Sequence, residues 1–163
     1  MAIISFFKLI EVIGIGFRVM NLTGIMPCPI CGGVLGGFGK RKRKYIDADG
    51  IRQILIIRRL RCCDCKHIHH ELPDILVPYK RHCAETIEKI IDDRIDDADI
   101  GELTIRRIRN WWNDLRVYKL GILASLSAKF GMAFGNPPKL KEVVRALANA
   151  NLWVSTRSAT TPA

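Results

Sequence analysis

Two cysteine pairs of matching internal spacing, 30 residues apart, constrain this chain more than any other feature. The first pair is Cys28 and Cys31 in "CPICGG"; the second lies in "RRLRCCDCKHIHH", which offers Cys62, Cys63 and Cys65. Two thiolates separated by two residues can reach one cation from a single tight turn. Four of them, at about 2.3 Å, make the closed tetrahedral site of structural Zn²⁺. Only Cys62 and Cys65 repeat the gap of the first pair, so the expected ligands are Cys28, Cys31, Cys62 and Cys65, with Cys63 turned away. Two alternatives stay open: Cys63 in place of Cys62, and His67 in place of a thiolate. Six cysteines with no export signal fit a reduced, cytoplasmic setting, where paired cysteines bind metal more often than they form disulfides. A closed four-thiolate site has no position for activating water, and Glu71 alone is not a convincing base. His69 and His70 are expected to hydrogen bond or fill space. The chain is therefore not expected to be an enzyme.

The separation of the pairs exceeds the usual 15–20 or so residues, and what lies between explains the excess. "KRKRKYI" and "IRQILIIRRL" flank "DADG", whose Asp49-Gly50 is a strong hairpin signal because glycine accepts positive φ. A β-hairpin over residues 40–46 and 51–59 is expected between the two knuckles. Such a segment buries little core, so metal binding would supply folding free energy, about 10–16 kcal/mol in zinc-finger peptides.

The balance of 26 basic against 16 acidic residues leaves +10 and favours an anionic partner. Double-stranded DNA is the expected partner and RNA the alternative. Lys40, Arg41, Lys42, Arg43 and Lys44 form a charge run on a hairpin strand, either gripping phosphates or simply solvating an edge strand. Beyond residue 82 the chain reads as helical. Ile87, Ile90, Ile91 and Ile95 recur at helical spacing, and Asp99 with Glu102 has the form of a capping box for the next helix. In "TIRRIRNWWNDLRV", Ile105, Ile108, Trp111, Trp112 and Leu115 form a core stripe. Arg106, Arg109, Asn110, Asn113 and Arg116 take the other side. Arginine and asparagine read guanine and adenine edges in the major groove, so the first four of these are candidate DNA contacts in a helix-turn-helix. The alternative is a solvated face. "GNPP" (135–138) breaks the helical region, and a last helix over 139–150 precedes the polar tail. Both late helices fit core packing or a homodimer surface. The acidic run Asp92, Asp93, Asp96, Asp97 and Asp99 looks like a solvated helix end rather than a two-metal nuclease centre.

The first 26 residues are apolar, yet Lys8, Glu11 and Arg18 interrupt them before the roughly 20 residues a membrane span requires. They are expected to form an amphipathic helix over 2–20, or to be an extension upstream of a start at Met26 instead of Met1. Four segments follow: a leader (1–26), a zinc ribbon (27–82), a helix-turn-helix-like region (83–134), and a C-terminal helix with its tail (135–163). The expected class is α+β.

Taken together, "CPICGG", "RRLRCCDC", "HHELPDILVPYKRH" and "TIRRIRNWW" resemble a bacterial family of unknown function. Its members are small proteins related to the zinc-ribbon and helix-turn-helix leader of insertion-sequence transposases. The similarity covers roughly residues 26–115 and continues weakly to "TRSA". It implies a zinc ribbon feeding a helix-turn-helix, a link to mobile DNA as regulator, accessory factor or truncated transposase, and no known activity. The family's second knuckle, Cys-x-x-Cys, supports Cys62 and Cys65; Cys63 departs from that pattern.

Overall fold

The computed structural model describes residues 1–24, 26–95 and 100–154, and within them the protein is α+β. In chain order the strands are β1 (Ala2–Ile4), β2 (Phe7–Val12), β3 (Gly16–Asn21), β4 (Leu35–Ile46), β5 (Arg52–Cys62) and β6 (Ile68–Pro73). The helices are α1 (Ala84–Ile91), α2 (Glu102–Asp114), α3 (Arg116–Phe130) and α4 (Leu140–Asn149). Strand β5 organises the curled sheet, because its run Ile54-Leu55-Ile56-Ile57 favours an extended, half-buried backbone. One edge of β5 pairs antiparallel with β4 from Ile46↔Arg52 to Leu35↔Cys62. Its other edge is divided: β3 runs parallel at Leu55–Ile56, and β6 antiparallel at Arg59–Arg61.

The β4–β5 hairpin is longer than the sequence pattern suggests. Its turn is built on Asp47, whose carboxylate accepts from the amides of Asp49 (3.1 Å) and Ile51 (2.8 Å) and from Gln53 Nε2 (3.0 Å). These bonds, the Gln53 one foremost, hold the Asp47 carboxyl below its ordinary range. Gly50 supplies the positive φ of +77°. Near the cysteines the register shifts between Gly37 and Gly39, leaving Phe38 unpaired at a bulge.

Residues 2–21 correct the expectation of an amphipathic helix: they are strands. "FKLIEV" alternates, with Phe7 and Leu9 partly covered and Lys8 and Ile10 exposed, and period two is the signature of a strand. β2 turns through Gly14 (φ +72°) into β3, which lies beside β5. β1 pairs parallel with β6, and its Ala2, Ile3 and Ile4 are 0–1% exposed. This segment is thus part of the core and not an appendage. The main core also takes Leu55 and Ile57 from the sheet, Ile87 and Ile90 from α1, Ile108 and Trp111 from α2, and Val144 from α4. All four segments distinguished by composition contribute to it.

The helices follow the expected stripes. Ile108 and Trp111 are buried, with Ile105, Trp112 and Leu115 half-buried beside them. α3 and α4 pack on each other through Leu123, Leu126, Val143, Ala146 and Leu147, so the apolar face of α4 is used within the chain. The connection from α1 to α2 spans residues 92–101, ten residues, where a helix-turn-helix uses about three or four. α2 and α3 are separated by Leu115 alone. The expected capping residue Asp99, with Asp96 and Asp97 of the acidic run and the "TRSA" stretch, lies outside the described residues. None of the described helices is long and apolar enough to cross a membrane.

Candidate metal centre

Cys28 and Cys31 precede β4, while Cys62 ends β5 and Cys65 follows it, so the antiparallel pairing of these strands brings the two knuckles together. In the first knuckle, Cys28 N–H donates to Gly33 O (2.8 Å) and Gly32 N–H returns to Cys28 O (2.8 Å). Gly32 adopts φ +76°. Gly33 is needed for another reason. A Cβ there would lie 1.9 Å from an Asp64 carboxylate oxygen and 3.1 Å from Cys62 Sγ, so a larger residue would have to displace the Asp64 side chain and crowd the Cys62 sulfur. In the second knuckle, Cys62 N–H donates to His67 O (3.0 Å), and Lys66 takes positive φ, +63°. The Asp64 amide donates to Cys62 Sγ at 3.4 Å.

The result is a four-sulfur cluster of Cys28, Cys31, Cys62 and Cys65, whose Sγ atoms all lie within 4.8 Å of one another. Cys28–Cys65 is 3.6 Å and Cys31–Cys62 is 3.5 Å. A tetrahedron of sulfurs at 2.3 Å from a central ion has edges of about 3.8 Å. The cluster therefore fits one ion, and its separations are far from the roughly 2.05 Å of a disulfide. All six cysteines are free. Cys28 and Cys62 are buried with Leu35 and Leu60, Cys65 is half-buried, and Cys31 is exposed. Cys62 and Cys65 do not ionise alike. Burial opposes ionisation of Cys62, yet the amides of Asp64 and Cys65 bring it down to about 7. The His67 amide favours a thiolate at Cys65, but burial and the other three sulfurs push it up to about 12. A cation bound at the cluster's centre would favour the thiolate form at each ligand.

The remaining residues of the stretch sort by geometry. Cys63 is exposed, and its amide binds Val34 O (2.9 Å), which stitches the knuckles together through the backbone. His67 stays outside the cluster, with Nδ1 3.2 Å from its neighbour's carbonyl at Cys65. His69 is buried and places Nε2 3.3 Å from Cys28 Sγ, the position of an outer-shell partner that orients a ligand. Glu71 is 2% exposed; it accepts two bonds of 2.7 Å from the Arg58 guanidinium and one of 2.9 Å from Asn21.

The expected nucleic-acid contacts divide between two regions. Strand alternation sends Lys40, Lys42 and Lys44 to one side of the hairpin, where all three are exposed. Arg41 and Arg43 turn to the side of Leu55 and Ile57. On α2, Arg106, Asn110 and Asn113 are exposed. Arg109 is engaged otherwise: its guanidinium binds the Asp93 carboxylate and donates to Ile90 O (3.2 Å), tying α2 to the end of α1. The sequence pattern missed Phe38. It is exposed on the bulge, with the Arg59 and Arg61 guanidinium carbons 5.2 and 5.5 Å from its ring centroid. Its signal was an aromatic set among glycines, "GGFGK", beside a basic run.

No curated protein and no solved structure matches the chain. A domain of unknown function (DUF6431) covers residues 28–108, from the first cysteine of the cluster to the buried Ile108 of α2.

Proposed function

We propose that the four cysteines hold one Zn²⁺ as a structural centre and that the protein binds DNA without catalysing a reaction. The observation that carries this reading is the cluster's place at the open end of the basic β4–β5 hairpin. Zn²⁺ there would fix the hairpin, and Lys40, Lys42 and Lys44 would contact phosphates without reading bases. Arg106, Asn110 and Asn113 of α2 are the candidate base contacts. The ten residues between α1 and α2 exceed the connection of a standard helix-turn-helix. Of the acidic run, Asp92 pairs with Arg94 and Asp93 with Arg109, and the buried Glu71 is locked to Arg58. A role as regulator or accessory factor of a mobile element, or as a transposase remnant, rests on the resemblance of the motifs alone.

The test is elemental analysis of the purified protein and of a Cys28→Ser/Cys31→Ser variant, with duplex DNA binding measured for both across a salt series. One zinc per chain is expected, lost in the variant together with DNA binding. The log–log salt slope should be about −0.9 per phosphate neutralised. A second reading, a protein-interaction adaptor, is favoured by Val117 and Leu120 standing exposed on α3. Zinc with no salt-sensitive DNA affinity would select it.

A further inference from the structure

A cleft of about 920 Å³ opens between the β4–β5 hairpin and the segment after β6. That volume falls in the range of small-ligand sites, roughly 300–1,000 Å³. Arg41, Arg43, Arg52 and Arg81 line it, and no carboxylate does. Among the described residues none of these four forms an ion pair; Arg43 donates to Lys80 O (2.7 Å). The floor is different in kind: Tyr45, Ile57 and Leu72 line the same cleft and are 8%, 2% and 5% exposed. Tyr79, also in the lining, is 62% exposed and leaves a ring face open.

Positive potential converges inside this cleft. Burial lowers Arg43 below the ordinary guanidinium range, and Arg41 beside it adds to the effect. His70, another lining residue, is lowered by burial and then by Arg41, Arg59 and Arg43. An anion seated among these groups would relieve their mutual repulsion. Duplex DNA offers its charges on a convex rod, which has no use for a concave site with an apolar floor. A single nucleotide has both parts: a compact phosphate chain and a flat apolar base.

We infer that this cleft binds a nucleoside di- or triphosphate, its phosphates against Arg41, Arg43, Arg52 and Arg81 and its base against Tyr79 and the apolar floor. Lys42 and Lys44, proposed above as phosphate contacts, stand at the rim of the same cleft, whereas Lys40 and α2 lie outside its lining; the proposal stands if DNA binding fails. The test is isothermal titration of the full chain with ATP and with inorganic tripolyphosphate. Three variants accompany it: Arg41→Ala/Arg81→Ala, Tyr79→Ala, and a charge-matched control, Lys89→Ala/Lys141→Ala, away from the cleft. Thermal melts establish that each is folded, and Arg41→Lys/Arg81→Lys replaces the first should it not fold. One ATP per chain is expected, weakened at least tenfold by the arginine variant and unchanged in the control. Tyr79→Ala should weaken ATP at least threefold and leave tripolyphosphate untouched. The absence of saturable ATP binding, or equal losses in the control, would overturn the proposal. ATP and tripolyphosphate binding equally to the wild type and to Tyr79→Ala would overturn the nucleoside assignment. Binding of duplex DNA alone, lost in the arginine variant, would make the cleft part of a DNA surface and overturn it likewise.

Discussion

Glu71 carries a negative charge into the interior and is held there by Arg58 on one side and Asn21 on the other. Replacing it with alanine strands the guanidinium and the amide together. Because Arg58 remains about half exposed, the loss should be smaller than for a fully buried pair, about 2–3 kcal/mol by denaturant unfolding. Lys119 is a second buried charge. Its Nζ lies 3.1 Å from the Trp112 ring centroid and donates to Trp112 O (2.8 Å). Burial, followed by the charge of Arg116, lowers the ammonium from 10.5 to about 8. Between those values the unfolded chain holds a proton the folded one has released, so stability should rise as pH climbs from about 8 to 10.5. Lys119→Met should flatten that rise in a pH series of melts; Lys80, lowered over the same window by burial, supplies what slope is left. At this scale the sequence was most legible where chemistry is local. The two-residue gap favours Cys62 over Cys63 without knowledge of the fold, with Cys63 left open as the alternative. Arg109 was not legible, because its carboxylate partner lies 16 residues away across a chain reversal.

Among the elements, the hairpin announces itself by its Asp49-Gly50 turn and the helices by their period, while β1 shows neither. β1 has only three residues, too few to display alternation, and its partner β6 is about 70 positions away. A parallel pairing of that separation leaves no local trace, so apolar content alone suggested a helix. The strand is secured at its free edge as well. Asn149 at the end of α4 accepts from Ile3 N–H (2.7 Å) and donates to Ile3 O (3.1 Å), standing in for a neighbouring strand. Asn149→Ala should therefore cost about 1–3 kcal/mol. Ile3→Ala, which opens a cavity in the main core, should cost about 2–5 kcal/mol. Denaturant titration ranks the two. Losses under about 0.5 kcal/mol in both would show β1 to be dispensable.

Across the whole molecule, the cysteine cluster and its companions Leu35 and Leu60 form a small apolar group apart from the main core of sheet and helices. Removing the proposed Zn²⁺ should act on that end first. Hydrogen exchange after chelation should show the amides of residues 28–36 and 60–68 losing protection by at least a hundredfold, while α1 and α4 keep theirs. Uniform loss over the chain would mean that the two cores fold as one. The Asn149 clamp has a further consequence, for the order of synthesis. The edge of β1, made first, is completed by a side chain made almost 150 residues later, after β6 and three helices have been synthesised. A nascent chain stalled before Asn149 emerges holds its most buried strand half-satisfied, and the tension that folding exerts on a stalled ribosome should peak only once that residue clears the exit tunnel.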